Sequence, residues 1–99
     1  MAGSKDFAFG SKVWPGLAKL VEELGEVGQV CGKLMMTGGE PEHWDGSDLH
    51  ECMALELGDV LAAAEFLLTH NPLDRALVEA QFEKKLALFK RWHEEQKLP

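Results

Sequence analysis

Glu22-Glu23-Leu24-Gly25-Glu26 and Glu56-Leu57-Gly58-Asp59 are the two stretches that decide the fold. Both lie in segments whose apolar residues recur at helical spacing, and in each a carboxylate is followed three residues later by another. Because a helix turns by about 100° per residue, carboxylates at positions i and i+3 project from one side. Each stretch therefore predicts a helix that presents two carboxylates together.

The apolar pattern predicts that these carboxylates face the interior. Glu56 falls inside an apolar stripe, whose other members are Leu49, Met53, Val60, Ala63 and Leu67. Glu23 and Glu26 border the stripe of the first helix, which contains Leu17, Leu20, Leu24, Val27, Val30, Cys31 and Leu34. An ionised carboxylate is costly to bury unless it takes up a proton, pairs with a cation or binds a metal. No lysine or arginine lies one turn away on the stripe of the second helix, so an ion pair within that helix does not account for the burial of Glu56.

Two antiparallel helices would bring the four carboxylates to one place, forming an all-oxygen site suited to a hard cation such as Mg²⁺ or Mn²⁺. The alternative is that they are solvated groups on ordinary acidic helices, since charged residues are mostly exposed.

Composition narrows the class of protein. The chain has 99 residues, enough for one domain with a modest core, and an all-helical chain of this size often gains burial by forming oligomers. Its formal net charge of -7 argues against binding to a nucleic acid polymer or an anionic membrane, but allows phosphates to be reached through bound cations. The N-terminal residues lack the apolar run of a signal peptide, and no later run is long enough to span a membrane, so we expect a cytoplasmic protein.

The expected architecture is all-α, with an N-terminal arm at residues 1–12 and a single helical domain at residues 13–99. The arm is expected to pack through Phe7 and Phe9. The three long helices are predicted from about Val13 to Met36, from the Asp48 cap to about His70, and from Pro72 or Asp74 to about Gln96. The Gly- and Pro-containing loop before Asp48 has room for one short helical turn. Gly25 and Gly28 within the first helix suggest close helix packing, since each costs about 1 kcal/mol relative to alanine.

With both acidic stretches placed, the chain resembles the MazG-like all-α nucleoside triphosphate pyrophosphohydrolases. The pattern of that family is E-E-x-x-E on one helix and E-x-x-D on the next, matched here at residues 22–26 and 56–59. The likeness covers roughly residues 13–95. It departs from the family in two ways: 29 residues separate Glu26 from Glu56, a long spacing, and Leu88 and Phe89 stand where short members often carry asparagine.

The resemblance implies an activity and a set of ligands. The reaction would convert a nucleoside triphosphate and water into the monophosphate and pyrophosphate, as in removal of non-standard nucleotides. Glu22 and Glu23 are the catalytic candidates, with Glu22 orienting water. Mg²⁺, or Mn²⁺ in its place, would be bound by four carboxylates, namely Glu23, Glu26, Glu56 and Asp59.

Binding of the nucleotide itself would need further side chains. Lys84, Lys85 and Arg91 on the third helix could stabilise charge on the departing pyrophosphate. Trp14 and Trp44 are the candidates for an aromatic wall against the base. We expect a homodimer or a dimer-of-dimers tetramer with the active site close to the interface, because three amphipathic helices leave apolar surface uncovered.

The sequence leaves three other functions open. A di-iron or di-manganese carboxylate bundle would need Glu-x-x-His on helices, but that spacing occurs here from Glu40 to His43, in a loop. A zinc site lacks the usual ligand spacing, although four candidate ligands exist: Cys31, Cys52, His43 and His50. The third is a non-catalytic nucleotide-binding, dimerisation or regulatory module that keeps the same scaffold.

Overall fold

A computed structural model describes residues 6–97 and confirms the all-α class. The helices are α1 (Leu17–Met36), α2 (Leu49–His70) and α3 (Arg75–Glu94). The first five residues of the predicted arm and the last two of the predicted domain lie outside the described residues. None of the described helices combines the length and the apolarity that a bilayer span requires.

The start of α1 differs from the prediction, which placed it at Val13 with Pro15 in the first turn. Trp14 has φ 45° and Gly16 has φ 90°, both in the left-handed region, so the helix begins only at Leu17. The arm folds back onto this junction, because the Phe7 carbonyl accepts hydrogen bonds from the backbone N–H groups of Gly16 (2.9 Å) and Ala18 (3.2 Å). The arm thus supplies partners that the first turn of a helix otherwise lacks.

Both α2 and α3 begin after aspartate caps, which confirms the predicted Asp48 cap and selects Asp74 over Pro72 as the start of α3. Asp48 accepts hydrogen bonds from the backbone N–H groups of His50 and Glu51, and Asp74 accepts one from Leu77. α3 ends at Glu94, two residues before the predicted end. The loop before α2 contains no helical turn; instead it makes an isolated antiparallel bridge from Glu42 to Asp48.

α1 and α2 form an antiparallel pair that contains the core. The Asn71 side chain, just after α2, donates a 3.0 Å hydrogen bond to the Pro15 carbonyl, just before α1. At the opposite end, the Leu49 N–H donates to the Pro41 carbonyl over 2.7 Å. Among the described residues, the buried apolar side chains are Val30, Leu49 and Ala63, with Leu49 only 1% exposed.

α3 contributes little to this core. None of its described residues is buried, and Phe82 is 58% exposed. The radius of gyration is 16.6 Å, against about 13 Å for a compact chain of 100 residues. A single chain therefore leaves the apolar side of α3 uncovered.

The glycines inside α1 do not mark close packing within the chain, contrary to expectation. A Cβ added at Gly25 or at Gly28 would meet no atom within 4 Å. Among residues 6–97, no neighbouring helix lies close enough to these two positions to require glycine.

Candidate metal centre

The antiparallel pairing brings together the four carboxylates that the two motifs predict. Glu23 and Glu26 come from α1, and Glu56 and Asp59 come from α2. Each offers a ligand oxygen, and these oxygens all lie within 4.8 Å of one another. In residues 6–97 no other group of three or more His, Cys, Asp or Glu side chains meets this criterion. We refer to the four residues as the carboxylate group.

The carboxylate group lies at the edge of the interior. Glu23, Glu26 and Glu56 are half-buried, whereas Asp59 is exposed. Glu23 Oε2 and Glu56 Oε2 are shielded from solvent and have no hydrogen-bond partner among the described residues. A buried oxygen without a partner is costly, and most such atoms in proteins are satisfied. These two oxygens are the atoms that a cation would satisfy.

Crowding of like charges perturbs the ionisation of the group. Burial, followed by the charges of Glu26 and Asp59, raises the pKa of Glu23 above its ordinary value. The same three causes raise the pKa of Glu56, with a side-chain hydrogen bond to Glu26 as a smaller cause. The positive charge of Lys19 lowers the pKa of Glu23, but this effect is smaller than those of burial, Glu26 and Asp59. The site therefore favours a bound proton or a bound cation over four free negative charges.

The dimensions and the donor set suit a divalent cation. Opposite oxygens in an octahedral Mg²⁺ shell are about 4.2 Å apart, and in a Ca²⁺ shell up to about 5 Å apart. A separation of at most 4.8 Å places the four oxygens within reach of one ion after small side-chain movements. All four donors are carboxylate oxygens, the ligand type of hard cations.

Glu22 is not part of the carboxylate group, although it adjoins Glu23 in sequence. It accepts a 3.0 Å hydrogen bond from Lys19 Nζ, and its side chain is 55% exposed. Its predicted role in orienting water remains a prediction.

A cavity of about 300 Å³ adjoins the carboxylate group. Its lining consists of Phe9, Lys19, Glu23, Asp59, Ala62, Ala63 and Phe66. Sequence reasoning did not select Lys19, Phe9 or Phe66 as binding residues. Lys19 carried a signal, since it lies four residues before Glu23 and so on the same helix face. Phe9 carried none, because only the fold of the arm brings it there.

The predicted substrate-binding residues do not line this cavity. Trp44 is 90% exposed and packs against the His43 ring, and Trp14 lies in the bend before α1. Lys85 lines a separate apolar cavity on α3, while Lys84 and Arg91 line another. Within one chain, these five side chains are not brought together with the carboxylate group.

The residues of the alternative zinc site are also not brought together. His43 Nδ1 lies 2.8 Å from Asp45 Oδ1, and His50 Nε2 lies 2.8 Å from the Gly39 carbonyl oxygen. Hydrogen bonds from the hydroxyl and backbone N–H of Ser47, then from His43, hold the pKa of Asp45 well below its usual range. The loop thus uses its polar groups to maintain its own conformation.

Comparisons of the chain with protein-family models, with curated proteins and with solved structures found no match. Any functional assignment therefore depends on the two motifs and on the geometry of the carboxylate group.

Proposed function

We propose that this protein is a Mg²⁺-dependent nucleoside triphosphate pyrophosphohydrolase of the MazG-like kind, acting on non-standard nucleotides in the cytoplasm. It would convert a ribo- or deoxynucleoside triphosphate and water into the monophosphate and pyrophosphate. The observation that carries the proposal is the carboxylate group, with four ligand oxygens within 4.8 Å and two buried oxygens without partners.

Glu23, Glu26, Glu56 and Asp59 would hold the metal. When bound, Mg²⁺ or Mn²⁺ offsets the charge of a triphosphate and makes water a stronger nucleophile. The half-buried position of three of the carboxylates favours this use, because electrostatic interactions are stronger where water is excluded.

The remaining side chains at the site have distinct tasks in this proposal. Lys19 lines the same cavity as Glu23 and Asp59, so it is the cation placed to contact the phosphates within one chain. Glu22, which is exposed beside it, would exchange its ion pair with Lys19 for a hydrogen bond from the attacking water. Both groups are solvent-accessible, so this exchange requires no change in the core.

A second copy of the chain would cover the apolar side of α3, giving a homodimer or a dimer of dimers. Exposed apolar side chains of α3 line two cavities, and Phe82 lines both. Lys84, Lys85 and Arg91 would then act on phosphates only if assembly brought them to a carboxylate group. Light scattering of the purified protein tests this part of the proposal, and a monomer would contradict it.

The activity is tested by measuring pyrophosphate release from a panel of canonical and modified triphosphates, with and without Mg²⁺. Glu56→Gln should abolish Mg²⁺-dependent release, because it removes a ligand charge at nearly constant shape. Glu51→Gln is the matched control, since Glu51 is an exposed glutamate of the same helix outside the carboxylate group. Absence of release from every nucleotide, by folded wild-type protein, would favour the non-catalytic module instead.

A further inference from the structure

Building on the proposed function, we propose that the cavity beside the carboxylate group binds the base of the nucleotide, with Phe9 of the N-terminal arm as its outer wall. The base would lie between this arm and α2, rather than against either tryptophan named from the sequence.

The lining of the cavity combines charged and aromatic side chains. Glu23, Asp59 and Lys19 supply charge where the cavity meets the carboxylate group, and Phe9 and Phe66 supply aromatic surface. The lining also contains Ala62 and Ala63, whose small side chains take up little of the cavity. A nucleotide calls for both kinds of lining, because it joins a charged phosphate chain to a flat aromatic base. A volume of about 300 Å³ is at the small end of the range for ligand pockets, which suits a base better than a larger group.

The two phenylalanines are arranged so that aromatic surface remains available. Their ring centroids are 4.7 Å apart and the rings are nearly perpendicular, at 85°. This edge-to-face contact orients Phe9 without covering both of its faces, and the side chain is 54% exposed. Phe66 is supported from another direction by His70, with centroids 4.2 Å apart. An incoming base can therefore stack without displacing either ring.

The arm that carries Phe9 is held in place by the main chain. The Phe7 N–H donates to the Val13 carbonyl over 3.2 Å, and the Phe7 carbonyl accepts from Gly16 and Ala18. The Ser11 hydroxyl accepts a 3.0 Å hydrogen bond from the Val13 N–H, closing the turn between them. Phe9 is thus a positioned wall of the cavity, and stacking against it costs little additional ordering.

The test compares two probes in Mg²⁺ by isothermal titration calorimetry. One probe is the set of α,β-imido analogues of dATP, dCTP, dGTP and dTTP, which resist cleavage at the bond in question, and the other is inorganic tripolyphosphate, which has no base. Phe9→Ala should weaken binding of the best analogue by about tenfold or more, the usual effect of removing one stacking partner. Its affinity for tripolyphosphate should be unchanged, and Phe9→Trp should retain affinity for both.

Three results would contradict the assignment of Phe9 as the wall against the base. If Phe9→Ala leaves analogue binding intact, or weakens both probes equally, the base does not stack on Phe9, while the proposed function stands. If wild-type protein binds neither probe and also releases no pyrophosphate from the panel of canonical and modified triphosphates, the proposed function fails and this assignment fails with it. Should Phe9→Ala lose its helical circular dichroism, Phe9→Leu keeps the apolar bulk without the aromatic ring, and the same comparison of probes applies to it.

Discussion

Replacing Gly16 by alanine should destabilise the protein through two separable effects. Gly16 has φ 90°, and a Cβ built there would lie 2.6 Å from Phe66 Cδ1 and 3.0 Å from Cε1. The left-handed backbone costs a non-glycine residue about 1–2 kcal/mol, and forcing extra volume into a packed site costs about 1–3 kcal/mol more. Phe66 is confined between Phe9 and His70, so its ring cannot simply swing aside. The expected loss is about 2–5 kcal/mol in total.

Gly46→Ala separates the two effects. Gly46 has φ 88°, almost the same as Gly16, but a Cβ there would meet nothing within 4 Å. It should therefore show the backbone cost alone, about 1–2 kcal/mol. Urea unfolding followed by circular dichroism measures both variants, at one protein concentration because assembly shifts the transition. In thermal melts, each 1 kcal/mol of lost unfolding free energy should lower Tm by about 4–8 °C.

An equal loss of unfolding free energy in the two variants would refute the steric reasoning, because it would mean that the Phe66 ring moves aside at no cost. A greater loss for Gly16→Ala should be accompanied by weaker nucleotide binding, since Phe66 lines the cavity beside the carboxylate group. Binding of Mg²⁺ should be retained, because Gly16 contributes nothing to that group.

Four further predictions concern the metal, pH, helix packing and assembly. Mg²⁺ at one hundred times its Kd should stabilise the wild type against unfolding by about 2.7 kcal/mol, as measured in thermal melts. Glu51→Gln should keep this stabilisation and Glu56→Gln should lose it. If Glu56→Gln also keeps it, Mg²⁺ does not bind at the carboxylate group. The raised pKa values of Glu23 and Glu56 mean that the folded metal-free protein binds protons more tightly than the unfolded chain. Its free energy of unfolding, measured with urea in EDTA, should therefore rise as pH is lowered from neutral toward those pKa values, and more steeply than that of Glu56→Gln; equal slopes would contradict this. Gly25→Ala should stabilise by about 1 kcal/mol in urea unfolding, because its Cβ meets nothing; a loss would reveal a partner surface there. With the proposed assembly, Phe82→Asp should give a monomer in light scattering, because it places a charge on the apolar side of α3; an oligomer that persists in this variant would exclude α3 as the interface.

Much of the helical architecture was predictable from local signals. The cap at Asp48 and the end of α2 at His70 lie where the sequence places them, and Asp74 is one of the two predicted starts of α3. α1 starts later than predicted, because Trp14 and Gly16 adopt left-handed conformations that depend on hydrogen bonds to Phe7. Proline at a first helical turn is a local preference, and a contact with the distant arm overrode it.

The carboxylate group was predictable for a different reason. Helical periodicity determines which side of a helix a residue occupies, so i, i+3 spacing placed each pair on one side of its helix, with Glu56 inside an apolar stripe. The expectation that all four face the interior was wrong for Asp59, which is exposed. That the two pairs meet within 4.8 Å depends on the antiparallel register of α1 and α2. The hydrogen bond from the Asn71 side chain to the Pro15 carbonyl links the end of α2 to the start of α1 and so supports this register.

What the sequence by itself determined is therefore the helical class, most of the caps and the identity of the four carboxylates. All of these follow from short-range geometry, which repeats every few residues. Only the tertiary structure decided that Phe9 and Phe66 share a cavity with two of those carboxylates, and that α3 remains largely uncovered. Contacts between residues so far apart in the chain depend on how a loop or an arm folds back, and residue spacing does not specify that path.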